Sequence, residues 1–219
     1  MGSSTVKKHL KTLIVDTSLI MLEEGLTVGT WGNFSVRDPE TNLIYITPSG
    51  MNYDEIDEDD IVVLDESLDI VEGFRKPSVE RIMHVSVYKA RSDVNAVIHT
   101  HPLYSSVLGV NGMDLPGISE DFVQIVGDKM ICSEYALPGT PELARNAIKG
   151  LGSRNGVLLP NHGTLVVGPN MQMTITISKV VEKTAHIYIM AKSIGSPNLI
   201  SPEDIKAMQD YAREKYGQR

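Results

Sequence analysis

The stretch from Asn33 to Thr47 constrains the fold more than any other part of the chain. Two runs, Asn33–Arg37 and Leu43–Thr47, flank Asp38-Pro39-Glu40-Thr41-Asn42, which has the length and turn chemistry of a hairpin tip. An antiparallel pair is therefore expected early in the chain, and the rest must cover it. Ile61–Leu64 and Asp69–Val71 predict a continuing meander, with Asp57-Glu58-Asp59-Asp60 as a solvated turn before it. Ahead of the hairpin, Leu10, Leu13, Ile14, Thr17, Ile20 and Met21 recur at helical spacing, and Gly25 is a natural stop.

Downstream, helices and strands alternate. Pro77-Ser78 predicts a helix with Ser78 as N-cap and Val79, Met83, Val87 and Ala90 on one face. Asn95–Thr100 reads as a strand, and Pro102 as the first residue of a following helix. Thr140-Pro141-Glu142 opens another helix that ends near Gly150 or Gly152. Val157–Leu159 and Leu165–Val167 are short apolar strands, Asn170 to Ile194 is a long helix, and Ser201-Pro202-Glu203 caps a last helix to about Tyr216. With hairpins preceding several helices, the expectation is an α/β fold: a central mixed, largely antiparallel sheet flanked by helices. A length of 219 residues, with no internal repeat or long linker, suits a single domain over residues 1–219.

Composition excludes some functions. A net charge of −8 disfavours a nucleic-acid partner, which calls for a basic patch, but leaves small anions open because backbone amides can bind them. No apolar run approaches the roughly 20 residues of a membrane span. With the single Cys132 and no secretory pattern at Met1-Gly2-Ser3-Ser4, the expected compartment is the reducing cytoplasm.

The chemistry is concentrated in Ala96-Val97-Ile98-His99-Thr100-His101-Pro102. Residues two apart on a strand share a face, so His99 and His101 present two imidazoles side by side at the strand end. Such a pair suits a cation like zinc, and equally suits two rings hydrogen-bonded to neighbours. His162, in the turn Leu159-Pro160-Asn161-His162-Gly163, is a third candidate, and three imidazoles with an open position make a catalytic zinc site. His9 and His186 lie on helices without a paired ligand. His84 stands one turn after Glu80, where an i,i+4 metal pair is conceivable, and is read as structural. Glu80 reads either as a helix-start carboxylate favoured by the dipole or as an acid/base beside a metal; the spacing leaves both open.

Two turns, Gly29-Thr30-Trp31-Gly32-Asn33-Phe34-Ser35 and Thr47-Pro48-Ser49-Gly50, can aim amides and hydroxyls at an anion, and Ser78 adds a third contact. Taken in order with Lys76-Pro77-Ser78-Val79-Glu80, His99-Thr100-His101 and Asn161-His162-Gly163, these segments resemble the class II aldolase/adducin family over nearly the whole chain.

The resemblance implies a three-layer α/β fold and a zinc-dependent lyase. Zinc, one per subunit, would be held by His99, His101 and His162, with Glu80 completing the empty site and acting as acid/base. Epimerases of the family resemble it with aspartate there, so Glu80 favours the aldolase branch. Phosphate contacts map onto Gly32, Asn33, Ser49, Gly50 and Ser78. The aldolases usually follow that serine with another, where this chain has Val79. The tyrosine that a neighbouring aldolase subunit contributes corresponds, by gap-free counting from Pro116 to Gly127, to Glu120, with Asp121 beside it. Related dehydratases use a glutamate in this region. Tyr216 matches a C-terminal tyrosine that closes over the site. The implied reaction is cleavage of a ketose phosphate, of the L-fuculose-1-phosphate or 5-deoxyribulose-1-phosphate kind, to dihydroxyacetone phosphate and an aldehyde. A homotetramer with sites between subunits is expected. Rival readings are a 4-epimerase, a methylthioribulose-1-phosphate dehydratase or a sugar-acid phosphate decarboxylase on the same metal site, or a non-catalytic adducin-like scaffold. Val28, Trp31, Leu137 and Tyr211, facing the aldehyde end, suggest an apolar substrate tail.

Overall fold

The computed structural model describes residues 6–214, so Tyr216 lies outside the described residues. The chain begins with helix α1 (Lys8–Glu23), then strands β1 (Asn33–Arg37) and β2 (Ile44–Ile46), the expected hairpin. β3 (Val62–Leu64) and β4 (Ile70–Glu72) continue the meander, followed by α2 (Arg81–Ala90), β5 (Ala96–Thr100) and α3 (Leu103–Val110). Next come β6 (Leu115–Pro116), α4 (Glu120–Ile125), β7 (Lys129–Cys132), α5 (Pro141–Leu151), β8 (Gly156–Leu159) and β9 (Gly163–Gly168). Helices α6 (Met171–Ile194) and α7 (Pro202–Glu214) close the described chain.

The strands form one nine-stranded sheet in the order β4-β3-β2-β1-β5-β9-β8-β7-β6. Every pair is antiparallel except β7 with β8. This is the mixed, largely antiparallel α/β sheet that the alternation of elements predicts. Strand periodicity decides which side each residue serves. On one face Val97, Val157, Leu165 and Val167 pack with Met83, Val87 and Tyr88 of α2 and Leu143, Ala147 and Leu151 of α5. On the other, Phe34, Val36, Ala96 and Ile98 meet Ile14 and Met21 of α1 and Met171 and Ile175 of α6. The same face continues through Leu158 and Val166 to Leu108, Phe122, Val181 and Ile205. Helices therefore cover both faces of the sheet.

Three local readings are corrected. Ser78 is not the N-cap of α2: Glu80 occupies that position at φ −94° and ψ 10°, and the helix begins at Arg81. A tight turn intervenes, in which the Glu80 N–H donates to Ser78 Oγ at 3.2 Å and the Arg81 N–H to Ser78 O at 3.1 Å. The Asp57–Asp60 turn is a capped 3-10 turn, solvated at Asp57 and Asp59 as expected but not at Asp60, which is buried and accepts from Arg75 at 2.7 Å. Pro102 is the N-cap of α3 rather than its first residue, which is Leu103; β6, α4 and β7 are too short to show a clear period in the sequence.

Candidate active site

The two central strands set the geometry. β1 and β5 pair antiparallel with Asn33 opposite His99, so both side chains leave the same face of the sheet, toward the start of α2. His99 is fully buried, and its Nδ1 donates to Thr164 O at 2.8 Å, which leaves Nε2 to face Glu80 and the cavity. His101, one step past the strand end, brings its Nε2 to 3.0 Å from His99 Nε2.

His162 arrives from the β8–β9 hairpin. Asn161 has φ 56°, and a Cβ on Gly163 would stand 2.2 Å from Thr100 O and 2.8 Å from His101 Cδ2. Only glycine admits this approach, which brings the His162 ring to 4.6 Å from that of His99 and 4.9 Å from that of His101, centre to centre. Among the described residues, His99, His101 and His162 form a group able to hold a metal, each offering one nitrogen within 4.8 Å of the others.

Glu80 faces this cluster. Its Oε2 stands 3.1 Å from His99 Nε2 and accepts from Asn33 Nδ2 at 2.8 Å, while Oε1 lies 3.6 Å from His162 Nε2. Glu80 Oε1 and His162 Nδ1 are buried without a hydrogen-bond partner. Orphaned buried polar atoms are rare, and two in one cluster mark a place built for something further to bind. Burial opposes ionisation of Glu80, but the charges of His99 and His162 and the Asn33 amide outweigh it and hold the carboxyl well below its ordinary range. Burial likewise opposes protonation of His99, and there Glu80 prevails, raising it. Burial, then the neighbouring His99, push His101 down to about 3 and His162 to about 4. Two imidazoles kept neutral beside His99 suit a shared cation.

The anion turns converge on the same place. Ser49 N–H donates to Lys76 O at 2.9 Å and Ser78 N–H to Thr47 O at 3.1 Å, tying the two loops edge to edge. A cavity of about 250 Å³ results, lined by Gly32, Asn33, Ser49, Gly50, Ser78 and Glu80, with Trp31, Val79, Pro138, His101 and His162 also in its wall. All five sequence-predicted phosphate contacts thus share one cavity with the carboxylate and two of the histidines. No Lys or Arg side chain lines it. Gly32, at φ +84°, permits the close passage of its backbone, since a Cβ would stand 2.6 Å from His99 O.

Other expected residues lie apart. Glu120, the first residue of α4, is exposed and outside the cavity wall, and Asp121 is ion-paired with Lys183. Trp31 lines the cavity, whereas Val28, Leu137 and Tyr211 are exposed and outside it. Asn33 carries a role that sequence reading missed: its side chain grips Glu80 and His84, with His84 Nε2 at 2.6 Å from Asn33 Oδ1. The alternation Asn33-x-Ser35-x-Arg37, polar on one face of a fully buried strand, was the available signal.

Comparison with known proteins places this arrangement. The family described as Class II Aldolase and Adducin N-terminal domain matches residues 12–189. The 5-deoxy-D-ribulose 1-phosphate aldolase of Bacillus thuringiensis serovar kurstaki is 40% identical over 201 residues, covering 91% of this chain and 92% of that one. The L-fuculose phosphate aldolase of Escherichia coli K12 is 32% identical over 200 residues, again covering 91% and 92%. A solved L-fuculose 1-phosphate aldolase superposes with a TM-score of 0.94 at 39% identity, covering 97% of this chain and 100% of the other.

Proposed function

This chain belongs to the class II aldolase and adducin family and is a class II aldolase, hence a lyase, and we propose that it cleaves a ketose 1-phosphate to dihydroxyacetone phosphate and an aldehyde. The observation that carries this reading is the unpartnered Glu80 Oε1, buried among three imidazoles at the edge of a cavity rich in amides and hydroxyls. The donor set fits a divalent cation: His99, His101 and His162 would hold zinc, one per subunit and with Glu80 as a fourth ligand in the empty site, and its Lewis acidity would stabilise negative charge developing on the substrate.

Glu80 handles the carbon-bound proton. Held ionised by its neighbours, it removes that proton in the condensation direction and returns it in the cleavage direction. The phosphate is bound by the backbone at Gly32 and Gly50, by the hydroxyls of Ser49 and Ser78, and by the Asn33 amide hydrogen not given to Glu80. Val79, more than half exposed at the cavity wall, puts an apolar surface where a second hydroxyl would stand, and with Trp31 it suits a substrate with an apolar tail. Glu120 of a neighbouring subunit would exchange the proton on the aldehyde oxygen, with Tyr216 closing over the site. The assembly would be a homotetramer of single-domain chains (residues 1–219) with sites between subunits. It would work in the cytoplasm without nucleic-acid or membrane partners, and no helix among the described residues is long and apolar enough to cross a membrane.

The test is product analysis with zinc-loaded protein on 5-deoxyribulose 1-phosphate and L-fuculose 1-phosphate. Release of dihydroxyacetone phosphate from either supports the reading; an epimer, a dehydrated product or no reaction with both sugars counts against it.

A further inference from the structure

A buried file of polar side chains runs between β1 and α2. Alternate residues of β1, Asn33, Ser35 and Arg37, point toward the helix, while Glu80, His84 and Tyr88 recur every four residues along its facing side. Tyr88 OH lies 2.7 Å from Ser35 Oγ, Ser35 Oγ 2.6 Å from His84 Nδ1, and His84 Nε2 2.6 Å from Asn33 Oδ1. Asn33 Nδ2 then donates to Glu80 Oε2 at 2.8 Å.

The proton positions follow from the last link. A carboxylate only accepts, so Asn33 turns its NH₂ toward Glu80 and its carbonyl toward His84. His84 must then carry its proton on Nε2. Its Nδ1 accepts from the Ser35 hydroxyl, and Ser35 in turn accepts from Tyr88. Every donor in the file points the same way, toward Glu80. Apolar side chains could fill this space without the risk of unsatisfied polar groups. The file is satisfied along its length and ends at Glu80 Oε1, which has no partner.

We propose that His84 is a positioning residue for Glu80: its Nε2–H locks the Asn33 amide, which tethers Oε2 and leaves Oε1 presented to the cavity. An amide does not conduct protons as a titrating group does, so the file orients the carboxylate rather than feeding it. Without the His84 donor, the Asn33 amide is free to flip and turn its carbonyl oxygen on the carboxylate. The inference rests on the reading of Glu80 as the group that handles the substrate's carbon-bound proton.

His84→Gln and His84→Asn separate positioning from packing. A glutamine amide nitrogen reaches the place of the imidazole Nε2 and keeps the donor to Asn33. An asparagine reaches only the place of Nδ1, keeping a partner for Ser35 and losing that donor. The reaction followed is exchange of the carbon-bound hydrogen of dihydroxyacetone phosphate with deuterium from solvent, by NMR, in the zinc-loaded full-length protein. His84→Asn is expected to slow exchange at saturating substrate about 10²-fold, the scale of a misplaced catalytic group, with zinc content, set by the three histidines, close to wild type. His84→Gln is expected to retain most of the rate. Equal rates in wild type and His84→Asn, or equal losses in both variants, would overturn the proposal. Nitrogen-15 shifts of histidine-labelled wild-type protein supply a readout that needs neither activity nor a folded variant. A neutral His84 protonated on Nε2 supports the file, and one protonated on Nδ1 overturns it. If wild type exchanges no deuterium, the reading of Glu80 fails, and the nitrogen shifts alone decide the proposal about His84.

Discussion

At the scale of single residues, the centre is governed by what buried imidazoles and a buried carboxylate do to one another. His99 has its Nδ1 proton committed to Thr164 O, so its Nε2 is available only on the cavity side. His99→Ala is expected to remove bound zinc, measured by elemental analysis, together with activity; a zinc-free variant of full activity would end the metal-dependent reading. His84 answers to a different balance. Burial, then the charge of His99, lower it from 6.5 to about 3. The unfolded chain therefore binds the proton more readily than the folded one, and the neutral ring's contribution is complete above pH 6.5 and lost as pH falls toward 3. Metal-free protein should accordingly become easier to unfold in urea between pH 7 and pH 5. His84→Gln, which cannot titrate, should flatten that acid limb by up to about 1.4 kcal/mol per pH unit. The His-x-His spacing was legible because strand periodicity alone puts both rings on one face. The role of His84 was not, because its partners Ser35 and Asn33 are distant in sequence.

At the scale of elements, glycines and loop ties decide whether these residues meet. The β8–β9 hairpin carries His162 to His101 only because Gly163 lets its backbone pass against Thr100. Gly163→Ala would press a methyl group into a carbonyl oxygen, at an overpacking cost of about 1–3 kcal/mol or more. A fall in melting temperature together with weaker zinc binding is the expected result, and a variant with both unchanged would show that the contact is not limiting. The start of α2 teaches a related lesson. Ser78 has the right chemistry for an N-cap, and the sequence pattern alone put the helix start there. The backbone instead spends Ser78 on a turn that sets Glu80 at the cap position, beside the histidines. Local propensity named the residues of this segment but not which of them the helix would use.

At the scale of the molecule, one chain holds the metal-type cluster and the anion turns, while Glu120 lies outside the cavity that they form. Glu120 stands exposed on α4, outside the wall. Mixing and co-refolding an inactive Glu80→Gln protein with an inactive Glu120→Gln protein should restore part of the activity, since hybrid assemblies would contain some sites intact in both groups. Light scattering should give about four times the 24.0 kDa chain mass for the active species. No recovery in the mixture would mean that each site draws both groups from one chain, and a fully active Glu120→Gln protein would place the aldehyde-side proton on another residue.

The sequence by itself determined the periodic features: the hairpin, the helical faces, the paired histidines and the glycine-bearing turns, each a consequence of spacing within one element. Tertiary structure decided which of these came together. Antiparallel register set Asn33 opposite His99, backbone ties joined the 47–50 and 76–80 loops, and a glycine turn delivered His162 from more than sixty residues away in sequence. The file from Tyr88 to Glu80 belongs to the same class. Its links are hydrogen bonds across a strand–helix contact, and no local pattern specifies a bond whose partners are joined only when the sheet and helix pack.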